Sequence, residues 1–174
     1  MKKKFDIITI GGATEDISVL INNYRLIDNR REILAKKLLA IEYGAKTIVD
    51  ESFVEYGGGA ANLAIAIKQC GLNVASWLAV GPDRRGQAII DNLKKHKIDT
   101  ELCQIIDRQQ SALSVVLIGQ DGEHTIIAYR GANDHLSITS STATRLASDW
   151  LYVSSLSGKI WLKNLTAIFK SHKK

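Results

Sequence analysis

The chain has 174 residues, of which 45% are hydrophobic and 24% are charged. These values are typical of a globular domain that is large enough to bury its own core. The formal net charge of +5 includes six lysines in the two tails, namely Lys2, Lys3, Lys4, Lys170, Lys173 and Lys174. Removing these six charges from +5 leaves −1, and the chain has no Arg-rich helix, so we expect no nucleic-acid partner.

The first third of the chain contains one strong strand signal followed by a polar region. Phe5–Ile10 is apolar and β-branched, which predicts a buried central strand. Arg25–Lys37 is highly charged and predicts a loop or a loose helix. Leu38–Tyr43 and Lys46–Phe53 are predicted to be short strands on either side of a turn at Gly44.

The middle of the chain alternates between helix and strand signals. Ala60–Cys70 predicts a helix, rich in small residues, that Gly71 ends as a C-cap. Val74–Val80 predicts a second buried strand, and Leu102–Asp107 a third. Between them, Asp83–Lys97 has the apolar spacing of an amphipathic helix.

The last third begins with a strong hairpin signal. Ser111–Ile118 and Thr125–Tyr129 are apolar segments that flank the turn Asp121–Gly122. Trp150–Ser154 then predicts a further buried strand, and Ile160–Phe169 a helix. Because strands and helices alternate, we expect an α/β fold with a mostly parallel sheet, to which the hairpins add a small accessory β-sheet.

Cysteines, histidines and hydropathy limit the other possibilities. Cys70 and Cys103 form no CxxC pair and the four histidines lack zinc spacing, so we expect no metal site and reduced thiols. No apolar run reaches 18 residues, and Ile7–Ile10 is too short for a signal peptide. These features predict a cytoplasmic protein without a membrane partner.

A glycine cluster at Gly57–Gly59 leads directly into the predicted helix that starts at Ala60. Glycine lets the backbone approach a ligand closely, and a helix start offers free N–H groups, so the pattern suits a small polyhydroxylated or anionic ligand. The alternative is a tight strand-to-helix turn without a ligand. Asn62 adds a side chain that can donate and accept hydrogen bonds, or else it caps the helix.

Asp16 follows the glycine turn after the first predicted strand. Ligands of open α/β sheets bind beyond the carboxyl ends of strands, where a carboxylate can accept hydrogen bonds from two adjacent hydroxyls. The alternative is that Asp16 caps a turn or a helix. Other glycine-loop chemistries fit less well, because the chain lacks the spacing of a phosphate-binding P-loop and has Asn62 where a dinucleotide fingerprint needs glycine.

Seven segments, in order along the chain, resemble motifs of the PfkB (ribokinase-like) family of carbohydrate and nucleoside kinases. They are Ile7–Asp16, Gly57–Leu72, Val80–Gly86, Ile98–Thr100, Ser111–Val116, Gln120–Glu123 and Tyr129–Asn133. The resemblance implies a ribokinase-like α/β fold, with a mostly parallel sheet in a three-layer arrangement and a small β-sheet lid. Residues 1–174 would form a partial kinase domain of this kind. It also implies that lid strands are interposed at about 17–54 and 111–130.

The same resemblance implies roles for individual residues. Asp16 matches the acid that grips substrate hydroxyls in the family, and Gly58, Gly59 and Asn62 match its substrate-contacting glycines and asparagine. Two weaker candidates for substrate binding are Arg130 and Asn133. The alternative for Arg130 is an arginine that is solvated or paired with an acid. Asp83 and Gly86 are expected to be structural, as a helix N-cap and a turn.

One family motif has no counterpart in these 174 residues. The family's Gly-Ala-Gly-Asp motif, which supplies the catalytic base, is absent, and the nearest segment is Gly131–Asp134 with Asn133 in place of the second glycine. We interpret Asp134 as a loop or cap residue and assign no catalytic residue. The chain is about half as long as the family leads us to expect, so we interpret it as a substrate-binding half with its C-terminal half missing.

The resemblance implies ATP-dependent phosphoryl transfer to a hydroxyl of a sugar or nucleoside, with ATP and Mg²⁺ bound mostly by sequence beyond Lys174. We expect the fragment to be inactive by itself. The alternative is a non-catalytic module that binds a sugar or nucleoside, or that has a regulatory role. Since half of a sheet exposes an edge strand and apolar faces, we also expect self-association or a complementing half.

Overall fold

In the computed structural model of this protein, residues 5–31, 37–145 and 147–172 are described. The chain divides into two compact units. The larger unit contains residues 5–15, 56–113 and 129–172, and the smaller unit contains residues 16–55 and 114–128. None of the helices in the described ranges is long and apolar enough to cross a membrane.

The larger unit is built on a parallel sheet with strand β1 (Phe5–Ile10) in its centre. On one side lies β6 (Val74–Trp77) and on the other β11 (Ser148–Val153), and both run parallel to β1. Ile8 and Ile10 of the central strand are fully buried, as their β-branched side chains suggested. The predicted buried central strand is therefore confirmed.

Helices cover both faces of this sheet. On one face, α1 (Gly59–Gln69) and α2 (Arg84–Lys95) belong to a core cluster that Ile7 of β1 joins. On the other face, a 3₁₀ helix (Gly131–His135) and α4 (Trp161–His172) belong to the cluster that contains Ile8 and Ile10. Because side chains alternate along a strand, the two clusters lie on opposite faces, which gives the predicted three-layer arrangement.

Helix α1 begins and ends close to the predicted positions. Its buried residues, Ala60, Ala61 and Ala64, are small, which lets the helix backbone pack closely on the sheet. At its end, Gly71 has a φ of +87° and its N–H donates to the Lys68 carbonyl oxygen at 3.0 Å. The predicted glycine stop is confirmed.

The predicted strand Val74–Val80 is interrupted at Leu78. Beyond β6, the chain forms a separate two-residue strand, β7 (Ala79–Val80), which pairs in parallel with β8 (Gln104–Ile105). The carbonyl oxygen of fully buried Leu78 accepts a hydrogen bond from the Gln104 N–H at 2.8 Å. The backbone thus changes pairing partner at this residue, and the mostly apolar sequence of the segment does not reveal the change.

A buried amide ties the C-terminal helix to the preceding loop. Asn164 of α4 is 1% exposed. Its Oδ1 accepts from the Ile138 N–H at 2.9 Å, and its Nδ2 donates to the Leu136 carbonyl oxygen at 2.7 Å. A short helix, α3 (Ser140–Ala143), follows this loop with a capping box at Thr139. These contacts satisfy backbone groups that would otherwise be buried without partners.

The described residues of the smaller unit form two β-sheets. Four strands, β2 (Thr14–Leu20), β5 (Glu51–Gly57), β9 (Leu113–Ile118) and β10 (His124–Tyr129), form one sheet with the order β10-β9-β2-β5. The predicted hairpin at Asp121–Gly122 is confirmed, since the Gly119 N–H donates to the Glu123 carbonyl oxygen at 2.9 Å across its turn.

The second sheet of this unit corrects one sequence prediction. Strand β3 (Arg25–Asp28) pairs antiparallel with β4 (Lys37–Ala40), so the first part of Arg25–Lys37 is a strand and not a loop or loose helix. Lys37 stands opposite Asp28 in this pair, and such a cross-strand pairing of opposite charges cannot be read from local composition. Residues 32–36 of that prediction lie outside the described residues.

Candidate functional site

The loop after β1 and the start of α1 are in backbone contact within the larger unit. The Ala60 N–H donates to the Gly12 carbonyl oxygen at 3.3 Å. Gly58 has a φ of +96°, and a Cβ at this position would lie 2.5 Å from both Ala13 Cα and the Gly12 oxygen. Gly58 is therefore required by the fold itself, through its φ and through this close approach.

Gly59 has a comparable internal reason. A Cβ on this residue would collide with the hydroxyl of Ser154, the residue that follows β11. Ser154 is held there because its N–H donates to the Ile10 carbonyl oxygen at 2.8 Å, which continues the β1 pairing. The tight-turn interpretation thus accounts for both glycines, while their contact with a ligand stays a prediction.

Asn62 does not cap helix α1. Gly58 is the N-cap residue, and no side chain in the described ranges caps this helix. The Asn62 N–H donates to the Gly58 carbonyl oxygen at 2.9 Å, while its side chain lies on the exposed side of the first turn. The capping alternative for Asn62 is therefore wrong.

Asp16 lies in β2, in the smaller unit, and is half-buried. Its Oδ1 is buried and has no hydrogen-bond partner among the described residues. Among the described residues, only two other buried side-chain atoms lack a hydrogen-bond partner, namely Trp77 Nε1 and Asp134 Oδ1. Because buried polar atoms normally have partners, the free oxygen of Asp16 is suited to accept a hydrogen bond from a ligand donor.

Asn133 uses its side-chain amide on the protein backbone. Its Nδ2 donates to the Ala13 carbonyl oxygen at 2.9 Å, and its Oδ1 accepts from the Ala13 N–H at 3.3 Å. Arg130 precedes the same 3₁₀ helix, its side chain is exposed, and its carbonyl oxygen accepts from the Asn133 N–H at 3.0 Å. Sequence reasoning missed the Ala13 contact, since 120 residues separate the partners.

Asp83 caps α2, as predicted, and also fixes the neighbouring loop. Its Oδ1 accepts from the Gly86 N–H at 2.7 Å, and its two oxygens accept from the Ser111 hydroxyl and N–H at 2.7 and 2.8 Å. Burial raises the pKa of Asp83, but the hydrogen bonds from Ser111 and Gly86 lower it by more. With the charge of Arg85 added, the pKa lies below its ordinary value of 3.8.

A further ion pair lies beside this cap and was not found from the sequence. Arg85 Nε lies 3.2 Å from Glu15 Oε1, with the two side chains 25% and 19% exposed. The Arg85 Nη1 also donates to the Ser111 carbonyl oxygen at 2.9 Å. The arginine therefore joins the start of α2 to the residue that immediately precedes Asp16.

The described residues offer no evident metal site. No group of three or more His, Cys, Asp or Glu side chains in the described ranges could hold a metal ion. Cys103 donates to the Ser76 carbonyl oxygen at 3.3 Å, and burial raises its pKa to about 12. Cys70, by contrast, is exposed.

Comparisons with known proteins agree on one family. The profile of the pfkB family of carbohydrate kinases matches residues 31–174. A ribokinase from Haemophilus influenzae is 27% identical over 109 residues, which cover 60% of this chain and 36% of that protein. A ribokinase from Bacillus subtilis is 30% identical over 93 residues, which cover 53% of this chain and 31% of that protein.

Solved structures show the same fold over almost the whole chain. The structure of Arabidopsis thaliana ribokinase complexed with ribose and ATP has a TM-score of 0.74 at 17% identity, with 97% of this chain and 51% of that chain covered. Ribokinase from Cryptococcus neoformans in complex with ADP has a TM-score of 0.70 at 19% identity, with 96% and 46% covered. The chain spans about a third of these two curated relatives and about half of these two solved chains.

These findings confirm the resemblance inferred from the sequence motifs and the ribokinase-like α/β fold. The profile covers most of the chain, and the fold agrees with it independently. The chain therefore belongs to the pfkB family of carbohydrate kinases.

Proposed function

We propose that this chain binds the sugar or nucleoside acceptor of an ATP-dependent kinase that phosphorylates a hydroxyl group. The observation that carries the proposal is the buried Oδ1 of Asp16, which has no hydrogen-bond partner among the described residues. A carboxylate in this state can accept strong hydrogen bonds from the hydroxyls of a polyol. Membership of the pfkB family, and the ribose complex of the Arabidopsis thaliana fold neighbour, support a sugar as the ligand.

The proposed roles of the other residues follow from their chemistry. The backbone at Gly58 and Gly59 brings the start of α1 close to the loop after β1. The N–H groups of Ala60 and Asn62 are bonded within the protein, so the other N–H groups of the first helical turn are the candidate donors to ligand oxygens. Asn62, exposed and not engaged in capping, can donate and accept from its side chain. Arg130 stays a weaker candidate for a substrate contact.

ATP and Mg²⁺ belong to the proposal only through the family. When bound, ATP supplies the phosphoryl group, and the metal balances the charge of its phosphates. The described residues contain no cluster for a metal, and the 174 residues contain no Gly-Ala-Gly-Asp motif. We therefore assign no catalytic residue and derive no step through the metal. The inactivity of this chain alone, its cytoplasmic location and its self-association or pairing with a complementing half stay predictions.

The smaller unit contains the two sheets that we interpret as the family's lid. Its residues, 16–55 and 114–128, form only β-strands, turns and loops in their described part. A lid in this family would exclude water from the acceptor, which favours transfer to the sugar hydroxyl over hydrolysis. The function of these strands as a lid remains a proposal.

The variant Asp16→Asn tests the acceptor role directly. Binding of D-ribose, D-fructose, adenosine and inosine to the wild type is first measured by isothermal titration calorimetry. For any probe that binds, we expect Asp16→Asn to weaken binding at least about tenfold, because a charged acceptor is replaced by a neutral amide. The control is Asp107→Asn, which makes the same chemical change at an exposed turn position.

Equal affinities of wild type and Asp16→Asn, or no binding by any of the four probes, would contradict the proposal. An assay of ADP formation with ATP, Mg²⁺ and the bound probe separates the two functional alternatives. Binding without turnover agrees with a binding half of a kinase or with a non-catalytic module. Addition of a complementing C-terminal half distinguishes the two, because only the binding half would then support ADP formation. Turnover by the chain alone would contradict our assignment of no catalytic residue.

A further inference from the structure

The segment that leads from β1 to Asp16 is held at two points within the larger unit. At the first, both amide atoms of Asn133 bind the backbone of Ala13, at 2.9 and 3.3 Å. At the second, the guanidinium of Arg85 binds the carboxylate of Glu15 at 3.2 Å. These contacts lie three residues and one residue before Asp16 in the chain.

The groups that provide these contacts are themselves fixed. The 3₁₀ helix that contains Asn133 is attached to a neighbouring loop, because the Ala132 N–H donates to the Gln110 carbonyl oxygen at 2.8 Å. A Cβ on Gly12 would lie 3.3 Å from Asn133 Nδ2, so the amide packs directly against the loop after β1. Asn133 therefore holds Ala13 from a 3₁₀ helix that is itself hydrogen-bonded to a neighbouring loop.

The two residues of the Arg85–Glu15 ion pair are also held by further hydrogen bonds. Arg85 also binds the Ser111 carbonyl oxygen at 2.9 Å, and Asp83 accepts from the N–H and hydroxyl of the same serine. The Glu15 N–H donates to the Ala112 carbonyl oxygen at 3.2 Å. Since both side chains of the Arg85–Glu15 pair are largely shielded from water, solvent weakens this pair less than an exposed one.

We propose that Asn133 and Arg85 are positioning residues, which hold the backbone on the N-terminal side of Asp16 and so fix the carboxylate for its ligand. The proposal rests on the acceptor-binding role of Asp16. It gives Asn133 a role different from direct substrate contact, because its amide is occupied by Ala13. It assigns a function to Arg85, for which the sequence suggested none.

The physical reason is preorganisation. A carboxylate held in its binding position loses little conformational freedom when a ligand binds, whereas a mobile one must be ordered at a cost in affinity. Loss of the Asn133 contact also leaves the N–H and carbonyl groups of Ala13 without this partner. The backbone before Asp16 then opens more often, and the affinity for the ligand falls.

Backbone amide exchange measured by mass spectrometry tests the holding role without any ligand. We expect Asn133→Ala to accelerate exchange about tenfold in peptides that cover residues 11–20. Arg85→Lys keeps the charge but loses the forked geometry, so we expect a smaller acceleration of about threefold in the same peptides. The matched control is Arg84→Lys, at the exposed neighbouring position of α2.

Calorimetry with D-ribose, or with whichever of the four probes binds the wild type, tests the link to Asp16. We expect Asn133→Ala to raise the dissociation constant about tenfold, Arg85→Lys about threefold, and Arg84→Lys not at all. Asn133→Asp keeps an acceptor for the Ala13 N–H but places a carboxylate oxygen against the Ala13 carbonyl oxygen, so we expect it to weaken binding at least as much as Asn133→Ala.

The two readouts separate the possible failures. Unchanged exchange in folded Asn133→Ala and in Arg85→Lys would overturn the positioning role. Accelerated exchange with unchanged probe affinity, in a protein that Asp16→Asn does weaken, would also overturn it. If Asp16→Asn leaves probe binding intact, the acceptor-binding proposal fails, and the positioning role for a ligand fails with it. Accelerated amide exchange in Asn133→Ala and Arg85→Lys would still confirm that these residues hold the backbone. Should Asn133→Ala not fold, Arg85→Lys and Asn133→Asp carry the same test.

Discussion

Substitution of Gly58 by alanine tests whether this glycine serves the fold. Gly58 has a φ of +96°, a conformation that costs about 1–3 kcal/mol for a residue with a Cβ. The added Cβ would also lie 2.5 Å from Ala13 Cα and from the Gly12 oxygen, and such overpacking costs about 1–3 kcal/mol more. We therefore expect Gly58→Ala to lower the free energy of unfolding by about 2–6 kcal/mol, the sum of the two contributions.

The chain provides a matched control for the backbone term. Gly71 has a φ of +87°, but no heavy atom lies within 4 Å of a Cβ placed on it. Gly71→Ala should therefore lower the free energy of unfolding only through its backbone conformation, by about 1–3 kcal/mol. Urea unfolding followed by far-UV circular dichroism gives both free energies, and a loss of about 3 kcal/mol corresponds to a fall in melting temperature of roughly 6–12 °C.

The comparison of the two variants tests whether the close backbone approach at Gly58 adds to the cost of its positive φ. A loss for Gly58→Ala that does not exceed the loss for Gly71→Ala would refute the inference from close approach. If Gly58→Ala were as stable as the wild type but failed to bind the sugar probe, the glycine would instead be required by the ligand. The first result concerns packing alone, so it is independent of any assignment of function.

Two titratable groups lead to further predictions. The lowered pKa of Asp83 means that its carboxylate stabilises the fold above its ordinary pKa of 3.8, and that this contribution disappears as the pH falls through the lowered value. The stability gap between wild type and Asp83→Ala, measured by urea unfolding, should therefore be about 1–3 kcal/mol at about pH 7 and smaller at about pH 3; a gap that is equal at both pH values would be inconsistent with this. The raised pKa of the partly buried Cys103, about 12, predicts that iodoacetamide at about pH 8 modifies only the exposed Cys70 in the native protein and both thiols in urea, as counted by mass spectrometry. Rapid labelling of Cys103 in the native protein would contradict this prediction.

Elements with strong local signals were predictable from the sequence. The run Phe5–Ile10 forms β1, the hairpin turn lies at Asp121–Gly122, and Asp83 caps α2. In each case the signal and the structure lie within a few residues of each other, because β-branched side chains, glycines and caps act on neighbouring backbone. Strand β3 escaped prediction because its pairing with β4, and not its own composition, defines it.

At the candidate site, too, the sequence predicted some features and could not show others. Sequence motifs identified Asp16, Gly58 and Asn62 as candidates, and the family comparison agrees with the resemblance on which they rest. The sequence could not show that the Gly58 and Gly59 positions are required by packing against Ala13 and Ser154. Nor could it separate the capping alternative for Asn62 from a free side chain.

The sequence by itself determined the family, the α/β class and the candidate residues for binding, because these depend on local patterns and ordered motifs. Only the tertiary structure decided which atoms those residues engage. Asn133 meets Ala13 across 120 residues, and Arg85 meets Glu15 across 70. Contacts of this kind depend on how the sheet brings together segments that are far apart in sequence. A local sequence pattern does not predict which of these distant segments will meet.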